Sequence, residues 1–199
     1  MQRKPYSAGA VKFAFWFLEL KKVCALLADG MTIEEIKKHN DAENIFAASS
    51  EARKKLIMSV IAKRLAEFDT SFVQLFMTSD VVGQKQLCLI ACMCSDGLFF
   101  DFVYEVIRSK FILGINEYGE SDMRKFWLEK QEQSEKVASF TEATKNRLAR
   151  TYKQYLFNAG ISDAGKGTRK IFKPIISSEI EIWLRKNNLQ PILAALSGE

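Results

Sequence analysis

The sequence predicts an all-α fold, a compact helical bundle, and three observations carry that expectation. Only 10 Gly and 3 Pro are spread over 199 residues, so there is little to break a helix. Apolar residues recur at three- and four-residue spacing through most of the chain. Ser or Thr stands before several of these periodic runs, where a helix needs a side-chain acceptor. With 48% hydrophobic residues, 15 Phe among them, the chain can bury a substantial core. The expected organisation is a helical core over residues 1–140, with a helix-turn-helix-like start, and a basic helical region over 141–199 packed on it.

The elements follow in order. Ala8–Ala28 carries helical periodicity and stops at Asp29-Gly30. Thr32 and Glu35 have capping-box spacing and open a helix to about Lys38. Ser50 caps a third helix running to about Phe68, with Leu56, Ile57, Val60, Ile61 and Leu65 on its inner side. Thr70–Thr78 and Val81–Cys94 are two more, the second largely buried. Leu98–Leu113 lacks period-two alternation and is long, so it is assigned to helix despite its β-prone residues. "INEYGESD" is a loop, after which Ser121 caps a helix bearing Phe126, Trp127 and Leu128. Thr141–Asn158 ends at Ala159-Gly160, Ser178 and Glu181 make a second capping box, and "LQPILAAL" closes the chain. Strand is expected only as a short wing near residues 166–176, in "GTRKIFKPII".

Charge is unevenly placed. The net formal charge is +5, but residues 1–66 hold twelve cations against seven acids, 67–121 three against eight, and 122–176 twelve against six. From Lys145 to Lys173 the chain carries Lys145, Arg147, Arg150, Lys153, Lys166, Arg169, Lys170 and Lys173, with Asp163 as the only acid. A cation run is often just a solvated helix face. Here acids at helical spacing are missing after Glu142, and the adjoining loop adds cations rather than compensating acids. A second cluster, Arg53, Lys54 and Lys55, sits in the first turns of its helix. Cations there oppose the helix dipole, which suggests another use for them.

The stretch "GISDAGKGTRKIFKP" imitates a nucleotide P-loop, with Gly160, Gly165 and Lys166 correctly spaced. Gly167 stands where the hydroxyl residue belongs, and Thr168 comes one position late. A basic helix precedes it instead of a buried strand, and Pro174 prevents a normal helix start after it. Phosphates on a nucleic-acid backbone fit better than a nucleotide: Gly165 and Gly167 permit close approach, and Lys166, Arg169 and Lys170 supply charge. Tyr152 and Tyr155 are assigned to the core rather than to base stacking.

Other classes are excluded on the residues. The apolar runs are interrupted by Lys12, Glu19, Lys21 and Lys22, or stop at Ser95-Asp96-Gly97, which argues against a signal or membrane span and for a cytoplasmic protein. Cys24, Cys88, Cys92 and Cys94 lack tight ligand spacing and are expected as buried free thiols, with no metal or cofactor. His39 is the only histidine and has no nucleophile beside it, while Asp96 and Asp101 are flanked by Phe. No catalysis and no small-molecule substrate is expected.

"KPYSAG", "SSEARKKLIMSVIAKRL", "LCLIACMCSDGLFFDFVYEVI" and "LFNAGI", in that order, resemble the BrxA family, a small component of the BREX phage-exclusion systems of bacteria. The resemblance spans nearly the whole chain. It implies an all-helical fold similar to the antitermination factor NusB, and binding of double-stranded DNA without catalysis alongside other BREX components. It supplies no motif whose residues carry over, so the DNA-contacting residues named above rest on charge and placement. Two alternatives stay open: a protein-interaction scaffold built on the acidic, Phe-rich middle, and RNA binding by analogy to NusB.

Overall fold

Residue Arg64 sets how the chain enters its fold. A computed structural model describes residues 4–198; the basic opening, Met1-Gln2-Arg3, and Glu199 lie outside it. Periodicity predicts one helix over Ala8–Ala28, but the backbone makes a 3-10 turn at Gly9–Lys12 and begins α1 only at Phe17, running to Ala28. The break falls at Trp16, which is left-handed at φ 50°, a conformation costing about 1–3 kcal/mol for a non-glycine residue. Arg64 explains it. Its Nη1 donates to the Phe15 carbonyl at 2.7 Å, and its Nη2 donates to the Ala14 carbonyl at 2.8 Å and the Tyr155 hydroxyl at 3.1 Å. A continuous helix would have consumed those carbonyls. The guanidinium is almost fully buried, 5.7 Å from the Trp16 ring and 5.5 Å from that of Tyr155, where cation–π attraction offsets part of its lost hydration.

The next elements form as their caps dictate. Thr32 and Glu35 make a complete capping box for α2 (Ile33–Glu43). Ser50 accepts from the Arg53 amide to open α3 (Glu51–Leu65). Asp69 and Asp80 cap α4 (Thr70–Thr78) and α5 (Val81–Ser95). Every residue from Gln86 to Cys94 in α5 is buried, so this helix is the axis of the core. All four cysteines are buried and unpaired.

Asp96 ends α5 and caps α6 (Gly97–Asp101), accepting from the Leu98 and Phe99 amides. The helix then widens into a π segment at Phe102–Ile107 before α7 (Arg108–Ile112). The predicted Leu98–Leu113 helix therefore exists, with one rare wide turn inside it. That turn stands beside a buried polar cluster. Lys130 is fully buried and reaches Asp101 at 3.1 Å and Glu105 at 2.5 Å, while the Tyr6 hydroxyl donates to Asp101. Burial alone would weaken the ammonium's hold on its proton; the carboxylates of Glu105 and Asp101 outweigh it and raise the Lys130 pKa. Tyr6 belongs to an extended N-terminal strap that crosses the start of α6. A Cβ on Gly97 would come within 2.3 Å of the Lys4 carbonyl oxygen, so only glycine lets the strap lie there.

Gly119, not Ser121, is the cap of α8 (Glu120–Gln133), because the Asp122 carboxylate reaches back to accept from the Gly119 amide. A single turn, α9 (Glu135–Ala138), leads to α10 (Glu142–Asn158), capped by Thr141. Ser177, one residue before the expected Ser178, caps α11 (Ser178–Lys186), and α12 (Gln190–Ser197) follows. Tyr152 and Tyr155 are core residues, as expected, packed with Phe99, Phe102, Phe15 and Trp127.

The expected wing is corrected in its pairing. The strand at Arg169–Lys170, β2, pairs antiparallel with Glu117–Tyr118, β1, which lies in the stretch assigned to loop. Ile171 also bridges Ser162, so the segment from 161 to 172 folds back on itself and clasps the start of α8. Burying Tyr118 in the core brings β1 within reach. Among the described residues no single helix is long and apolar enough to cross a membrane. The apolar run through α5 and α6–α7 bends by 115° at Asp96 and packs inside the protein.

Candidate nucleic-acid interface

Helices α8 and α10 lie beside each other with a groove of about 590 Å³ between them. The side of α10 bearing Leu148, Tyr152 and Leu156 is buried, which turns Glu142, Asn146, Arg150 and Lys153 toward the groove. From α8 come Arg124, Leu128 and Gln131. Lys145 is a strut rather than a free cation: it is buried, its Nζ donates to Gln131 Oε1 at 3.2 Å, and it pairs with Glu142. Arg150 and Lys153 remain on the rim together with Arg124, which charge counting along the 145–173 run overlooked. Its signal was visible only as a cation on the exposed side of the Phe126–Trp127 helix.

The glycine-rich loop sits at one end of this groove. Thr168 rests 3.4 Å from where a Cβ on Gly119 would stand, at the N-terminus of α8. Two amides of the loop are already taken, since Asp163 Oδ1 accepts from the Gly165 amide at 3.0 Å and the Lys170 amide at 3.1 Å. A carboxylate of the chain thus holds amides that a P-loop would offer to phosphate. Arg169 is also committed. Its Nε donates to the Gly165 carbonyl at 3.0 Å, and its Nη1 donates to the carbonyls of Lys153 at 3.1 Å and Asp163 at 3.3 Å. This guanidinium staples the loop to the last turns of α10. Gly165 is needed because a Cβ there would lie 2.3 Å from the Thr168 carbonyl oxygen. Lys166, Lys170 and Lys173 are left projecting into solvent.

The other predicted cluster divides. Lys54 is buried; its Nζ donates to the Asp41 carbonyl near the end of α2 at 2.8 Å and pairs with Glu51 at 2.9 Å. The other use that its position suggested is therefore internal. Arg53 and Lys55 stay exposed, with the Arg53 guanidinium 5.4 Å from the Trp16 ring centroid. Arg147 is exposed but outside the groove lining, on the shoulder of α10 where Thr151 bonds the Ala10 carbonyl. Of the predicted residues, the structure sets Arg150 and Lys153 on the groove and carries Lys166 and Lys170 on the loop that Arg169 ties to Lys153. Lys54, Lys145 and Arg169 serve the fold.

The family model described as BrxA matches residues 4–188. A curated relative from Bacillus cereus (strain H3081.97), "BREX protein BrxA", is 37% identical over 169 residues, covering 85% of this chain and 84% of the relative. A crystal structure of an uncharacterized protein from Magnetospirillum magneticum superposes with a TM-score of 0.81 over 100% of both chains at 19% identity, which extends the fold alone.

Proposed function

This chain belongs to the BrxA family, and we propose that it serves a BREX phage-defence system as a non-catalytic component that binds the phosphate backbone of double-stranded DNA. The observation that carries the reading is the placement of unpaired cations: Arg124, Arg150 and Lys153 along the α8–α10 groove, continuing into Lys166 and Lys170 on the stapled loop. Such a row neutralises successive phosphates without reading bases, so sequence preference is weak. The reading as a non-enzyme draws support from the Lys130–Asp101–Glu105–Tyr6 cluster, whose charged groups are packed into the fold and pin the N-terminal strap.

Fluorescence anisotropy of labelled DNA and RNA duplexes at two salt concentrations tests the reading. If roughly six phosphates are engaged, log affinity falls with log salt with a slope of about −5. Changing Lys166, Lys170 and Lys173 together to Ala flattens that slope, whereas changing Arg53 and Lys55 shows how far the site extends toward α3. Salt-independent binding by the wild type would overturn it.

A scaffold role has its own observation in favour. An apolar groove of about 1030 Å³ lies between α2, α3 and α4, lined in part by Leu27, Ile33, Phe68 and Val73. Co-purification of other BREX components with the triple Lys variant would establish that second role.

A further inference from the structure

The α8–α10 groove holds more than phosphate binding needs, and we infer that it takes one nucleotide unit whose base is unpaired. This inference rests on the nucleic-acid reading and narrows it. Neutralising a duplex backbone takes exposed cations alone. Here the cations instead surround a hollow of about 590 Å³, within the roughly 300–1,000 Å³ of small-ligand pockets. Its floor is apolar, formed by Met123, Trp127 and Ala149, with the side chain of Leu128 standing 64% exposed at its edge. Leu128 gives the groove an accessible apolar edge above its apolar floor, and a phosphate makes no use of it. It suits the flat apolar face of a base. Trp127 is only 6% exposed, so it closes the floor rather than offering a stacking face.

Polar edges complete the match. Asn146 is exposed on the rim, and Gln131, whose oxygen accepts from Lys145, retains its amide nitrogen as a donor. Neutral amides of this kind meet the hydrogen-bonding edge that a base exposes when it is not paired. Two carboxylates, Glu120 and Glu142, also line the groove, and Lys145 neutralises Glu142. The three rim cations therefore dominate, and the site favours an anion attached to a planar, amphipathic ring.

The test compares a fully paired DNA duplex with the same duplex carrying one unpaired thymidine, and with free thymidine monophosphate. Duplex binding is read by anisotropy at fixed salt, and occupation of the groove by quenching of tryptophan fluorescence, to which Trp127 is one of three contributors. The variant Asn146→Phe fills the hollow from an exposed position, and circular dichroism confirms that it folds. The expected result is about tenfold tighter binding of the unpaired-base duplex, the effect of one well-held base. Asn146→Phe should remove that preference, leaving the two duplexes bound equally well by the variant. Quenching by free thymidine monophosphate, blocked by Asn146→Phe and without the duplex preference, would support the same base-and-phosphate site with a free nucleotide as its source. Equal binding of both duplexes with no quenching by the mononucleotide overturns the inference and leaves the phosphate reading standing. No binding of any probe by the folded wild type overturns both.

Discussion

Substituting Lys130→Met removes the charge at the centre of the cluster beneath the N-terminal strap while keeping the length of the side chain. In the native protein the ammonium is fully buried between Asp101, 2% exposed, and the half-buried Glu105. Glu105 can turn toward water once its partner is gone, but Asp101 cannot. It keeps the Tyr6 hydroxyl, and a buried carboxylate deprived of its cation costs about 3–5 kcal/mol. For a chain of this length each kcal/mol lowers the melting temperature by about 2–4 °C, so a fall of about 10 °C is expected. Because the Lys130 pKa is raised on folding, its contribution is fully present below the unfolded lysine value and fades only as pH climbs through the folded one. Urea denaturation at neutral pH, followed by circular dichroism, therefore reads the whole effect. Adding Asp101→Asn removes the stranded charge and should recover most of the loss. A loss below about 1 kcal/mol, or a double variant as unstable as the two single effects summed, would show that the cluster is not energetically coupled.

Other predictions concern single groups. Burial pushes the Asp96 carboxyl up to about 6. The folded state then binds a proton that the unfolded chain has released, so stability should decline as pH rises from about 4 to about 6 and level off above it; Asp96→Asn, an equivalent cap, should flatten that slope in pH-dependent denaturation. Lys54→Met should cost about 1–3 kcal/mol by leaving the Asp41 carbonyl unsatisfied, without altering DNA affinity. Lys55→Ala should leave stability within about 0.5 kcal/mol. Gly165→Ala forces the loop off the Thr168 carbonyl and should weaken duplex binding in anisotropy while the urea midpoint moves little.

Helix existence is legible because caps and periodicity act locally: Thr32 and Ser50 each do what their spacing announces. The misreadings arose where a distant group intervened. Arg64 breaks the first helix by claiming carbonyls about fifty residues away, and β2 finds its partner across about fifty more. Neither leaves a trace in a local window. The basic region was visible as charge, but a count of cations does not show which are spent inside the fold. Lys54, Lys145 and Arg169 read the same as Lys55, Arg150 and Lys170 until their carbonyl and carboxylate partners are placed. Arg124 was overlooked for the converse reason, since only the approach of α8 to α10 puts it on the rim.

The strap has a consequence for the order in which the protein is made. Tyr6 leaves the ribosome before Asp101 and Lys130, which hold it, exist. At a synthesis rate of about 5–20 residues per second, Lys130 is added roughly 6–25 s after Tyr6. The Ala10 carbonyl, which accepts from the Thr151 hydroxyl, waits longer still. The strap thus docks only after residues far downstream of it have been made. During that interval its aromatic residues remain open to chaperones.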